Sequence, residues 1–101
     1  MEPAGWHTCR GAAKPVPTTA IQEDVIKYLD SRRDDLVAVN QDIRTFAEVG
    51  LQEHKSAARL VGVLKKAGFK VKEKVSGMPT AFVAEYGSGK PIIGILAEYD
   101  A

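Results

Sequence analysis

Apolar residues recur at three- and four-residue steps through Ile21, Val25, Ile26, Leu29, Leu36, Val39, Ile43 and Phe46. That spacing lines one face of a helix. Thr19 followed by Gln22 has the form of a capping box, in which the hydroxyl accepts a helical amide and the glutamine reaches back. The pattern predicts one amphipathic helix of roughly 26 residues ending near Ala47. The polar stretch 30–35 (DSRRDD) is the place for a bend or short break. After Glu48, Val49, Gly50 and Leu51, a second helix is predicted over residues 52–67, with Ala57, Leu60, Val61 and Leu64 on one stripe. Lys65 and Lys66 in its last turn favour the helix dipole. Gly68 supplies a left-handed stop, with Phe69 free to pack back.

The period then changes from helical to two. Phe69, Val71, Glu73 and Val75 alternate with Lys70, Lys72 and Lys74, which predicts a half-exposed strand with a lysine-rich outer face, suited to a sheet edge. Ser76, Gly77, Met78 and Pro79 make a turn into a second strand over residues 80–86 (TAFVAEY). Gly87, Ser88, Gly89 and Lys90 are expected to close a hairpin onto a third strand opened by Pro91. Residues 92–97 (IIGILA) are apolar on both faces, the pattern of a strand buried inside a sheet with helices above and below. The expected fold class is therefore α/β: two helices followed by three strands.

The 101 residues suffice for one small domain. Residues 1–18 hold Pro3, Pro15 and Pro17 without any periodicity and are expected to be a flexible arm, leaving 19–101 as the structured part. Fourteen Lys plus Arg against thirteen Asp plus Glu leave +1, so charge gives no reason to expect nucleic acid or an anionic membrane as partner. No apolar run approaches the roughly 18–20 residues of a membrane span, and the opening residues lack the apolar core of a secretory signal. The single cysteine excludes an internal disulfide and suits a reducing compartment, so a cytoplasmic location is expected.

Chemistry is most plausible where the third strand ends. Open α/β sheets bind ligands at the carboxyl ends of central strands, and there Glu98 and Asp100 flank Tyr99. In extended geometry their Cβ atoms stand about 6–7 Å apart on one side. Two carboxylates so placed suit a hard cation, a histidine in need of orientation, or a shared proton; the plainer reading is a strand end entering a solvated loop. Trp6, His7 and Cys9 offer two soft ligands, too few to close a zinc sphere, and His54 reads as a surface residue. Gly87 to Lys90 lacks the spacing and the following helix of a phosphate loop. No Gly-x-Ser-x-Gly elbow is present, and Cys9 has no evident histidine partner.

Ala47-Glu48 with Gly50, Glu53 and Ser56, then Leu64 with Gly68-Phe69 and Val71, then Gly77-Met78-Pro79-Thr80-Ala81-Phe82, and finally Glu98-Tyr99-Asp100-Ala101 are similar to the opening of a known family. From about residue 20 to 101 the chain resembles the aminoacylase and glutamate-carboxypeptidase family of dimetal peptidases. Within that family it looks most like the branch of amidohydrolases similar to aminobenzoyl-glutamate utilisation protein B.

The resemblance implies the start of a mixed-sheet α/β catalytic domain. Complete relatives bind two divalent ions, zinc or manganese, whose bound water attacks an amide in an N-acyl amino acid or small peptide. They are expected to be homodimers. Glu98 stands where many relatives have a metal-ligating histidine, and Asp100 fits the aspartate that orients a metal ligand. No metal ligand and no cofactor is expected within this chain alone. Later family motifs, including the general base, are absent from these 101 residues. The chain is accordingly expected to be an N-terminal fragment, inactive by itself and prone to aggregate. Two rival readings are a stand-alone binding module protected by pairing along the third strand, and a regulatory partner of a full-length relative.

Overall fold

The computed structural model describes residues 17–99. The chain divides after Ser31 into two compact units. The arm expected over residues 1–18 lies outside the described residues except for Pro17 and Thr18, and so do Trp6, His7 and Cys9.

The first unit contains helix α1, Ala20–Ser31. Its start is a capping box: the Thr19 amide donates to Gln22 Oε1 at 2.8 Å, and the Gln22 amide donates to Thr19 Oγ1 at 3.3 Å. The stripe of Ile21, Val25, Ile26 and Leu29 is correctly spaced, but no residue of α1 is buried.

The single helix of roughly 26 residues expected from the pattern is in fact two, and the break falls at Arg32. There φ is −103° and ψ is 4°, outside helical geometry. The cause is local. Ser31 Oγ donates back to the Tyr28 carbonyl at 2.6 Å, and Asp34 and Asp35 favour a fresh helix N-terminus.

The second unit comprises α2 (Arg33–Phe46), α3 (His54–Lys66), β1 (Lys70–Glu73), one 3-10 turn (Val75–Gly77) and β2 (Phe82–Glu85). Helix α3 is its centre, packed against α2, β1 and β2. Among the described residues Val61 of α3 is the buried apolar side chain, and Ile43, Phe46, Leu60, Leu64, Val71 and Phe82 are half-buried. Helix α3 stops as its sequence predicts. Gly68 takes φ +93°, its amide donates to Lys65, and the Phe69 amide donates to Leu64, both at 3.0 Å. These two bonds are the Schellman pair. The Phe69 ring meets Tyr86 at 5.1 Å.

Strands β1 and β2 are antiparallel, with Val71 opposite Ala84 and Lys72 opposite Val83. Val71, Phe82 and Ala84 are half-buried, while Lys70, Lys72, Val83 and Glu85 face solvent. Glu73 accepts from Lys65 Nζ at 2.7 Å, tying the strand to the end of α3. Both strands are shorter than the alternation suggests, because Lys74 (φ 56°) and Ser76 (φ 54°) turn left-handed and end the ladder early.

The three-strand expectation needs correction. The sheet of the described residues has two strands, and residues 92–97 form no regular element. Consequently, Gly87 to Lys90 closes no hairpin. Ile92, Ile93, Ile95 and Leu96 are 83–92% exposed. The physical reason is that a strand exists only as a member of a ladder: without a neighbouring backbone its amides remain with water whatever its side chains prefer.

Candidate functional site

The connection from α2 to α3 is tightly wound. Ala47 and Leu51 both adopt left-handed backbone, at φ 46° and 64°, and the Gln52 amide donates to Val49 at 2.9 Å. The winding brings Glu48 back over the first turn of α3. Glu48 Oε1 accepts from the Lys55 amide, and Oε2 accepts from both the amide and the hydroxyl of Ser56, all at 2.9 Å. Helix α3 has no cap from the side chain preceding it. Glu48 therefore takes the cap's role from upstream, with its charge well placed at the positive helix end.

Glu53, at the helix start, is buried and faces the turn before β2. Its Oε2 accepts from Thr80 Oγ1 at 2.9 Å, and Thr80 is buried as well. The Thr80 carbonyl in turn accepts from the Tyr99 hydroxyl, and the Tyr99 ring stacks over Phe82 at 6.1 Å and 29°. Glu48 with Ser56, and Glu53 with Thr80 and Tyr99, thus make two neighbouring hydrogen-bonded groups built from four stretches of sequence.

The electrostatics keep both glutamates charged at neutral pH. Partial burial pushes the Glu48 carboxyl up, but the Lys55 and Ser56 amides, the Ser56 hydroxyl and the Lys55 charge together hold it below its ordinary value. Glu53 is also held low, chiefly by its own backbone amide. Burial opposes this, the Thr80 hydroxyl and Leu51 amide add to it, and the Glu48 charge opposes it. Burial raises the Tyr99 phenol above its ordinary value, against hydrogen bonding with Thr80 and helped by the charges of Glu53 and Glu48.

Of the acids singled out in the sequence, Glu98 is exposed, and Asp100 lies outside the described residues. His54 is exposed on the first turn of α3, as a surface residue should be. The described residues contain no group of three or more His, Cys, Asp or Glu side chains able to hold a metal ion. None of their buried side-chain polar atoms lacks a hydrogen-bond partner. The two groups fix backbone; they hold neither an unpaired base nor an orphaned ligand donor.

Reading the sequence for chemistry missed the pairing of Glu48 with Ser56 and of Glu53 with Thr80, although each residue carries part of the family resemblance. The available signal was a helix start without a Ser, Thr, Asp or Asn cap, together with a serine at the fully covered position 56.

No family model matches the chain, and no solved structure matches it. Over 82 residues it is 38% identical to a subunit of p-aminobenzoyl-glutamate hydrolase from Escherichia coli (strain K12). The aligned stretch is 81% of this chain and 15% of that protein. No helix among the described residues is long and apolar enough to cross a membrane. What the comparisons establish is similarity to one chain of a hydrolase, extending over four-fifths of this chain and a small part of the relative.

Proposed function

We propose that residues 19–101 serve as the N-terminal part of a metal-dependent amidohydrolase cleaving amide bonds of N-acyl amino acids or small peptides. The observation that carries this reading is the 82-residue similarity to a hydrolase whose named substrate joins p-aminobenzoate to glutamate. The pairing of Glu48 with Ser56 and of Glu53 with Thr80 supports it, since four of the residues that carry the family resemblance bond to one another.

The described residues do not fit a dimetal cage, because no three donors come together. The reading therefore leaves the two divalent ions, zinc or manganese, to the complete enzyme and assigns none to these side chains. Asp100 is given the role of orienting a metal ligand, with Glu98 as the weaker candidate beside it. The 101-residue chain alone is expected to be inactive, and the complete enzyme is expected to be cytoplasmic and homodimeric.

The test is a segment exchange. Residues 19–101 replace the matching stretch of the E. coli protein, and the assembled hydrolase is assayed on p-aminobenzoyl-glutamate. The expected outcome is activity within about tenfold of the parent, a barrier change of about 1.4 kcal/mol. A chimera that folds and assembles like the parent yet hydrolyses nothing above background overturns the reading.

A further inference from the structure

Residues 86–98 leave the hairpin and run without a regular element, and the apolar side chains at 92, 93, 95 and 96 are exposed. One residue after Glu98 the chain is held again. Tyr99 is half-buried, its hydroxyl donates to the Thr80 carbonyl, and its ring stacks on Phe82. The first contact lies at the turn before β2 and the second at the first residue of β2. A single stack or a single neutral hydrogen bond is worth only a few times thermal energy, so neither alone fixes the end of a long unpaired segment.

What stiffens this anchor is the other side of Thr80. The residue that offers its carbonyl to Tyr99 also donates its hydroxyl to the buried Glu53 carboxylate at 2.9 Å. Glu53 is itself held by the wound connection and the start of α3. Carboxylate acceptors make the stronger kind of hydrogen bond, and burial shields this one from water. The orientation of Thr80, and with it the direction of the carbonyl that Tyr99 meets, is therefore set from α3.

We infer that Glu53, acting through Thr80, is a positioning residue for Tyr99 and hence for Glu98 beside it. The significance of that acid rests on the amidohydrolase reading; the latch itself does not. Cutting the Glu53–Thr80 bond releases Tyr99 and leaves Glu98 without a fixed origin, even though neither Glu53 nor Thr80 is adjacent to it in sequence.

Backbone 15N relaxation of the dilute 101-residue chain, read as the heteronuclear NOE at Glu98 and Tyr99, tests the latch. Glu53→Ala and Thr80→Val should each lower the NOE there to the values of residues 92–97. Glu53→Gln, which keeps an oxygen to accept the Thr80 hydroxyl, should restore the parent value. Asp42→Asn, which loosens the pair with Arg59 away from the latch, should leave both residues unchanged. A parent-like NOE in Glu53→Ala, absence of rescue by Glu53→Gln, or an equal response to Asp42→Asn overturns the inference. Should Glu53→Ala fail to fold, Thr80→Val carries the test, because it removes the hydroxyl that meets Glu53 and keeps the carbonyl that meets Tyr99. A lowered NOE at Tyr99 then supports the latch and an unchanged value refutes it. In the segment-exchanged hydrolase, Glu53→Ala should lower kcat with little change in KM. An inactive unsubstituted chimera would refute the hydrolase reading while leaving the relaxation result to decide the latch.

Discussion

Helices α1 and α3 are of nearly equal length and carry the same kind of apolar stripe, yet only one of them builds a core. In α3 the stripe is covered: Val61 is 5% exposed and Ser56 1%. In α1 the stripe is open, with Val25 51% exposed and Ile21 76%, although its capping box is fully formed. Local hydrogen bonding therefore decides where a helix starts, and packing decides what it contributes. Isolated helices of this length are marginal in water, so most of the stabilisation in α3 comes from its neighbours.

The largest test of this contrast is to place the same charge on each stripe. Val61→Asp buries an unpaired carboxylate and should lower stability by about 3 kcal/mol or more. Val25→Asp should change it by no more than about 0.5 kcal/mol. Urea unfolding followed by circular dichroism compares the two, and equal effects would mean that α1 is as well covered as α3.

The next test concerns the polar side of the second unit. Thr80→Val leaves the buried Glu53 oxygen without its donor and should cost about 1–3 kcal/mol, again read as a urea midpoint. A smaller effect is expected from acid. Glu48 and Glu53 have lowered folded pKa values, so the stability they contribute is complete above pH 4.5 and falls away as the pH drops through the lowered values. Melting temperatures taken from pH 7 to pH 3 should show a decline confined to the acid side. Thr80→Val should flatten it by loosening the charged form of Glu53.

The smallest expected effect on stability lies in residues 92–97. Replacing Ile92 and Ile95 with Lys should change unfolding by no more than about 0.5 kcal/mol, because both side chains are already exposed. The same change should reduce light scattering of concentrated samples, since an uncharged run of exposed apolar residues is a template for association. A large loss of stability would show that these side chains are covered in solution.

What the sequence made legible was local. Thr19 and Gln22, the Gly68 stop and the alternation around Val71 each state their geometry within a few residues; the first two formed as read, and the third formed as a shorter strand. The break at Arg32 was legible as a polar stretch, though the exact residue depended on Ser31 bonding back to Tyr28. The third strand failed because its pattern describes an environment that the described residues do not provide. Glu53 and Thr80 lay beyond reach for a different reason. They are 27 residues apart, and nothing in either neighbourhood announces the other. Ser56 lies within the predicted helix, and its burial depends on where Glu48 returns.

The two left-handed residues joining α2 to α3 have a practical consequence. Alanine and leucine tolerate that backbone poorly, whereas glycine adopts it freely. Ala47→Gly and Leu51→Gly would keep the course of the connection while relieving the clash of Cβ with the preceding carbonyl. The stretch between these helices is thus a reserve from which the protein can be made more robust without altering a single partner of its carboxylates.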